Sequence, residues 1–178
     1  NLWILLVPAL LLVLAIMRVA TALRRTPIMN RADHRRSTMI AFLATFLLFL
    51  TLTVITPIET GPFFWAGVVL IFPAGIFYIL SIASFLRKHE GLTVRGAYAV
   101  TRNPMYVAML LFLDAFFLMA LQASFLAALL FALTSLVFFF LIRMRIKDEE
   151  AFLYKAYGEE YRRYKESTPR FLGTTKHD

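Results

Sequence analysis

The stretch PMYVAMLLFLDAFFLMALQASFLAALLFALTSLVFFFLI, residues 104–142, decides the fold of this chain. It is about twice as long as the roughly 20 apolar residues that an α-helix needs to cross a bilayer. A single helix of that length would not fit any bilayer, and the polar residues Gln122 and Ser124 divide the stretch near its middle. We therefore predict a tight hairpin of two transmembrane helices, from Pro104 to about Leu121 and from Ala123 to Ile142.

Three further apolar runs precede this hairpin and predict three more spans. They extend from Leu2 to Leu23, from Met39 to Thr56 and from Phe63 to Leu86. The third run contains Pro73 and Gly75, which predict a kinked helix. The predicted fold class is thus all-α: a polytopic membrane protein with about five transmembrane helices and a C-terminal amphipathic helix.

The composition agrees with a membrane protein. Hydrophobic residues make up 60% of the 178 residues and charged residues 17%, and the mean hydropathy is +0.72. A soluble domain has about 45–50% apolar residues, and a globule of this size cannot bury such an excess. The net charge of +8 would suggest nucleic-acid binding in a soluble protein. Here the basic residues stand at the ends of apolar runs, which favours a membrane and no nucleic-acid partner.

Basic residues are concentrated on alternate connections between the predicted spans. The second connection has Glu59 and no base, and the fourth is uncharged. The bases of the first and third connections and of the tail are Arg24, Arg25, Arg31, Arg35, Arg36, Arg87, Lys88, Arg95, Arg102, Arg143, Arg145 and Lys147. Because such residues stay in the cytoplasm, we predict an external N-terminus and a cytoplasmic C-terminus.

We interpret residues 1–178 as a single membrane domain. Residues 1–86 form three N-terminal spans, and residues 87–178 form the half that carries the chemistry: a cytoplasmic loop, the helical hairpin 104–142 and an interfacial tail. In the tail, from Arg145 to Glu166, apolar and aromatic residues recur every three or four positions, which predicts an amphipathic helix. Gly158 interrupts this pattern.

The loop GLTVRGAYAVTRNPMY, residues 91–106, is the least lipid-like segment between two spans. Pro104 suits the first turn of a helix and Asn103 suits its N-cap, so the segment could be a cytoplasmic anchor followed by a helix start. Arg102 and Tyr106, however, are four residues apart and could face the same side near a helix N-terminus, which favours anionic groups. Both interpretations stay open.

Three consecutive acids, Asp148, Glu149 and Glu150, follow the basic end of the fifth span. One interpretation is a carboxylate that holds a cationic ligand or the hydroxyls of a ribose. The other is a solvated helix face that pairs with Arg145 and Lys147. Surface pairs of that kind stabilise little.

Asp114 is the one acid within a predicted span. Carboxylates inside a membrane are costly and are functional candidates by default. The alternative is a neutral or hydrogen-bonded carboxyl group that packs against the hydroxyl of Thr45, Thr51 or Thr134.

The composition and the residue spacing exclude several kinds of site. The chain has no cysteine, which excludes disulfides, zinc–thiolate sites and a cysteine nucleophile. His34 and His89 stand in basic loops without acidic neighbours, which does not make a metal site. The glycines have neither the dinucleotide-binding nor the P-loop spacing.

Four motifs in the C-terminal half, taken in order, resemble a known group of enzymes. They are Gly96 with Tyr98, Arg102 to Tyr106, Glu149 with Glu150, and Tyr157 to Tyr161. This order is similar to that of the integral-membrane S-adenosylmethionine-dependent methyltransferases, which include isoprenylcysteine carboxyl methyltransferases and phospholipid N-methyltransferases. The resemblance covers residues 91–171.

The resemblance implies S-adenosylmethionine as the cofactor and a membrane lipid or lipidated molecule as the partner. The cofactor would lie between the last two spans and the tail, and the implied cofactor-binding residues are Tyr98, Arg102, Asn103, Tyr106, Glu149 and Glu150. Arg102, Glu149 and Arg145 are the implied catalytic residues, with Arg102 or Arg145 binding an acidic acceptor or a phosphate headgroup. Carboxyl methyltransferases usually have His where this chain has Asn103, and the sequence Asn103 to Tyr106 resembles the phospholipid enzymes instead. The tail around Gly158, in contrast, is more like that of the carboxyl methyltransferases. The acceptor therefore stays open between a prenylated carboxylate and a phospholipid amine.

Two other functions remain as alternatives. Sterol reductases of the same superfamily share the C-terminal pattern and use NADPH, although few polar residues lie within the spans here. A small transporter or scaffold centred on Asp114 is the alternative from a different class.

Overall fold

The computed structural model describes residues 1, 2, 4, 36–87 and 91–173. These residues form helices and no strand, which agrees with the predicted all-α class. The helices are α1 (Arg36–Ile55), α2 (Pro62–Arg87), α3 (Ala97–Val100), α4 (Pro104–Ala123), α5 (Phe125–Tyr157) and α6 (Glu159–Ser167).

Three of these helices are long and apolar enough to cross a membrane: Pro62–Phe85, Pro104–Ala123 and Phe125–Tyr157. The apolar part of α1, Ile40–Ile55, is shorter. The predicted first span lies outside the described residues, apart from Leu2 and Ile4. The loop that follows it, up to residue 35, also lies outside them, as do Lys88 and His89. The number of five spans therefore stays a prediction.

The apolar stretch 104–142 forms two helices that meet at Ser124, as the sequence predicts. Ser124 has an extended backbone (φ −162°, ψ 128°) and its side chain accepts a hydrogen bond from the Ala127 amide of α5. A serine in this position satisfies one of the amides that a helix leaves unpaired at its start. The hairpin places Phe116 of α4 against Phe131 of α5, with 6.3 Å between their ring centroids.

Helix α5 continues well past Ile142, where we predicted the fifth span to end. Its 33 residues correspond to about 50 Å at 1.5 Å per residue, which exceeds the roughly 30 Å of a hydrocarbon core. The polar segment after Ile142 therefore continues a helix that is long and apolar enough to cross a membrane. The helix ends at Gly158, whose φ of 50° breaks it, and the short α6 starts directly afterwards.

Helices α2 and α4 approach each other closely because their facing residues are small. A Cβ atom on Gly67 would lie 2.5 Å from the Ala115 carbonyl oxygen and 2.7 Å from Met119 Cγ. Gly67, Ala74 and Ser81 recur every seven residues on α2 and are buried. Small residues at such spacing allow membrane helices to pack by direct backbone contact. The helix passes through Pro73 without ending.

Phenylalanine side chains form the centre of the bundle. Phe49 of α1 meets Phe116 at 5.4 Å and Phe131 at 5.6 Å, both in edge-to-face geometry. Edge-to-face aromatic pairs stabilise beyond the area that they bury. This cluster ties α1 to the α4–α5 hairpin.

The loop before α3 is anchored to the end of α2 at one point. Gly96 has a φ of 65°, and a Cβ atom there would collide with the side chain of Ser84. The Ala97 amide donates a hydrogen bond to the same serine hydroxyl over 3.3 Å. Only glycine satisfies both the backbone angle and the close approach.

Candidate functional site

A buried ion pair joins the start of α4 to the extension of α5. Nη1 of Arg102 lies 2.9 Å from Oε1 of Glu150, and the two side chains are 3% and 13% exposed. These residues are 48 positions apart in the chain. Because charges are costly to bury without a partner, each of the two side chains depends on the other.

Arg170 binds the same carboxylate from the C-terminal side. Its Nε donates to Oε1 of Glu150 at 3.1 Å and its Nη2 to Oε2 at 2.9 Å, the two-pronged geometry that arginine makes with carboxylates. Lys165 Nζ lies 3.9 Å from Oε2. Glu150 is therefore surrounded by three cations. The sequence prediction missed Arg170, whose only local signal was a basic residue between Pro169 and Phe171.

Residues 168–171, here called the strap, are held against the start of α4. The Arg102 amide donates to the Pro169 carbonyl at 2.8 Å. The Thr101 hydroxyl and the Asn103 side-chain amide both donate to the Arg170 carbonyl at 2.9 Å. These bonds position the guanidinium of Arg170 over Glu150.

The strap also corrects the role that the helix-start interpretation gave to Asn103. Asn103 does occupy the N-cap position of α4, and Pro104 follows at the first helical position, but the side chain makes no capping hydrogen bond. Its amide group instead binds the Arg170 carbonyl. A histidine ring N–H could also donate to that carbonyl, which gives a physical reason for either residue at this position.

A second network lies on the neighbouring side of α5. The Tyr106 hydroxyl donates to Oε1 of Glu149 at 2.8 Å, and Arg145 Nε binds the same oxygen at 2.8 Å. The Arg145 guanidinium lies 5.8 Å from the ring centroid of Phe42. Arg145 and Glu149 are 33% and 27% exposed, so this network is accessible from outside, unlike the Arg102–Glu150 pair.

Tyrosines of α6 close the site from the tail. The Tyr164 hydroxyl donates to the Tyr98 carbonyl at 2.7 Å, so the backbone of Tyr98 belongs to the site. Burial, followed by the charge of Glu150, raises the pKa of Tyr161 to about 12, against the opposing effect of Arg102. Burial likewise raises the pKa of Tyr164. Both phenols stay protonated at neutral pH.

A groove of about 510 Å³ opens beside Glu150. Its volume is in the range of small-molecule and cofactor sites. Two tyrosines and three bases line the groove together with Glu150, so it offers aromatic side chains, a positive rim and one acid. Its lining residues are Lys147, Glu150, Ala151, Tyr154, Tyr161, Arg162 and Lys165.

Asp114 is the predicted candidate that lies apart from this site. It is exposed on the outer face of α4. The hydroxyls of Thr45, Thr51 and Thr134, which we considered as its partners, each donate to the carbonyl four residues earlier in their own helix. Among the described residues, the packing of Asp114 against one of these hydroxyls is therefore not found.

Comparison with known proteins places the polar site within a recognised family. The family model described as phospholipid methyltransferase matches residues 64–160. This range is more than half of the chain and includes Arg102, Tyr106, Glu149 and Glu150. The chain belongs to the phospholipid methyltransferase family.

A curated relative of this phospholipid methyltransferase family member is the protein-S-isoprenylcysteine O-methyltransferase of Schizosaccharomyces pombe (strain 972). The two are 35% identical over 88 residues, which cover 49% of this chain and 35% of the relative. The chain thus spans about a third of the length of that relative. No solved structure matches this chain significantly. The resemblance to membrane methyltransferases that the motifs predicted is confirmed.

Proposed function

We propose that this chain transfers a methyl group from S-adenosylmethionine to a lipid-like acceptor within the membrane. The observation that carries the proposal is the convergence of the family's ordered motifs on one site. Arg102 binds Glu150 and Tyr106 binds Glu149 across more than 40 residues of chain, at one end of a bundle of apolar helices.

The groove beside Glu150 suits S-adenosylmethionine by its chemistry. The cofactor combines an aromatic base, ribose hydroxyls, a carboxylate and a sulfonium cation. Tyr154, which is exposed, offers a face for the base. Glu150 can accept from the ribose hydroxyls, and Lys147 or Lys165 can bind the carboxylate. The Arg102–Glu150–Arg170 contacts support this assignment because they hold the Glu150 carboxylate in one orientation.

When bound, the cofactor would supply a methyl group on a sulfonium, and in-line transfer of that methyl group to the acceptor would release a neutral thioether. Such a step depends on positioning and on exclusion of water more than on acid–base catalysis. The work of the chain is thus to align donor and acceptor. Arg102 fixes Glu150, Asn103 fixes the strap, and Tyr106 fixes Glu149 at the boundary between the polar site and the apolar helices.

The acceptor is either a prenylated carboxylate or a phospholipid amine. The accessible Tyr106–Glu149–Arg145 network suits its headgroup, since Arg145 can bind a carboxylate or a phosphate. An amine must lose a proton before it attacks. Tyr106 and Arg145 hold Oε1 of Glu149, and Oε2 of the same carboxylate can accept that proton. Glu149 and Arg145 are in this way the catalytic residues of the proposal. Arg102, the third residue that the resemblance implies, acts as a positioning residue through Glu150.

We further propose that the polar site faces the cytoplasm. Arg143, Arg145 and Lys147 lie at this end of α5, and Arg95 and Arg102 lie in the neighbouring loop. By the positive-inside rule this end is cytoplasmic, with five spans, an external N-terminus and an interfacial tail.

A methyl-transfer assay tests the proposal. The purified protein is incubated with methyl-labelled cofactor and extracted membrane lipids, and the labelled product is identified by mass spectrometry. We expect a labelled lipid with the wild type and with Arg163→Ala, an exposed control, and at least tenfold less with Glu149→Gln. No label in any lipid fraction or lipidated peptide would overturn the proposal.

A further inference from the structure

A second, apolar groove lies between α4, α5 and the strap. Its volume is about 270 Å³, and its lining residues are Val107, Leu110, Leu111, Phe139, Phe171 and Leu172. The groove begins at the polar site: Val107 directly follows Tyr106, and Phe171 directly follows Arg170. A ligand whose head occupies the polar site could therefore extend an apolar chain into this groove without a gap.

Asp114 continues the α4 wall of this groove one turn deeper. Residues three or four apart share a helix face, so Asp114 lies on the stripe of Val107, Leu110 and Leu111. Its side chain is exposed on this face, and no partner for its carboxyl group is recorded among the described residues. A carboxyl group that faces hydrocarbon without a partner is costly.

Ser135 provides a second polar group at the same depth on α5. It stands one turn before Phe139, which lines the groove, and its Oγ is buried without a hydrogen-bond partner in the described part of the chain. The contact of Phe116 with Phe131 fixes the antiparallel register of the two helices. In that register Asp114 and Ser135 lie within one turn of the same level.

We infer that this groove binds a hydrocarbon chain of the acceptor, and that Asp114 and Ser135 select a chain bearing a hydroxyl group. The inference rests on the proposed function and names its substrate class. The hydroxyl donates to the Asp114 carboxyl group and accepts from the Ser135 hydroxyl, so one group satisfies both residues. Eight residues separate Tyr106 from Asp114, which places the hydroxyl about 12 Å below the methyl-accepting head.

Binding of amphiphiles that lack a methyl-accepting group tests the inference separately from catalysis. The series has one headgroup and one chain length, either plain or with a hydroxyl moved stepwise along the chain. Affinity is measured from the shift in thermal midpoint of the purified protein in detergent. We expect one hydroxyl position to bind about threefold to eighteenfold more tightly than the plain chain, as intramembrane hydrogen bonds of about 0.6–1.7 kcal/mol imply.

Variants assign the preference to the two residues. Asp114→Leu and Ser135→Ala are each expected to abolish the preference for the hydroxyl, whereas Thr51→Ala, an intramembrane hydroxyl on another helix, leaves it unchanged. Leu111→Trp, which fills the groove, is expected to weaken both chains at least tenfold, in contrast to Leu129→Trp on the exposed face of α5.

Three outcomes would overturn the inference. They are equal affinity for all chains in the wild type, a hydroxyl preference that persists in Asp114→Leu and Ser135→Ala, and a lower thermal midpoint of Asp114→Leu without any amphiphile, which would give Asp114 a partner within the protein. Cofactor binding to the same preparations distinguishes these failures from a failure of the proposed methyl transfer.

Discussion

Replacing Glu150 by glutamine removes the charge that compensates Arg102, whose side chain is 3% exposed. Breaking a buried ion pair by removing one partner costs about 3–5 kcal/mol. Arg170 is 14% exposed and can turn towards solvent, and glutamine keeps one acceptor, so we expect the lower end, about 3 kcal/mol. For a protein of this size that corresponds to a decrease of about 6–12 °C in thermal midpoint, measured on purified protein in detergent.

The matched control is Glu166→Gln. Glu166 is 66% exposed and lies 3.9 Å from Arg162 in an i, i+4 pair. Exposed pairs of this type contribute about 0.3–0.5 kcal/mol, so its midpoint should change by no more than about 2 °C. If Glu150→Gln melts at the wild-type temperature, Arg102 does not depend on Glu150 and the reasoning about the buried pair is wrong.

Three further predictions concern packing, the strap and ionisation. Gly67→Ala should lower the thermal midpoint, since overpacking costs about 1–3 kcal/mol. The control Gly75→Ala should not lower it, because no atom lies within 4 Å of the added Cβ. Equal thermal midpoints of the two variants would contradict the close packing of α2 on α4. Asn103→His should keep cofactor affinity because a ring N–H can donate to the Arg170 carbonyl. Asn103→Asp should lose cofactor affinity because a carboxylate and a carbonyl, both acceptors, would face each other. Cofactor binding is measured by calorimetry, and tight binding by Asn103→Asp would contradict the role of Asn103 in holding the strap. Tyr161 has a folded pKa of about 12 against about 10 unfolded, so it stabilises the protein below pH 10 and loses that contribution between pH 10 and 12. In an absorbance titration Tyr161→Phe should lose the amplitude of one phenol from the late phase, and a loss of amplitude near pH 10 instead would refute the burial argument.

The sequence predicted those parts of the molecule that leave a local signal. The break at Ser124 follows from polar residues in an apolar run, and the helix start at Pro104 follows from the fixed φ of proline. The convergence of Arg102 with Glu150 was expected only through the family resemblance, since nothing local links residues 48 positions apart.

Other features have no local signal. Hydropathy marks where a helix leaves the membrane but not where it ends, so the continuation of α5 to Tyr157 was missed. The strap is held by hydrogen bonds to backbone carbonyls 67 or more residues away from Asn103 and Thr101, which no periodicity reveals. The outward direction of Asp114 was also hidden, because a helix that is apolar on all sides gives no contrast between its faces.

The most direct test of the account is calorimetric binding of S-adenosylmethionine in detergent, below the melting temperature of each variant. We predict that the wild type and Asp114→Asn bind with equal affinity, and that Glu150→Gln and Arg102→Ala bind at least tenfold more weakly. Absence of binding to the wild type, or equal binding by all four proteins, would contradict the assignment of the cofactor to the groove beside Glu150.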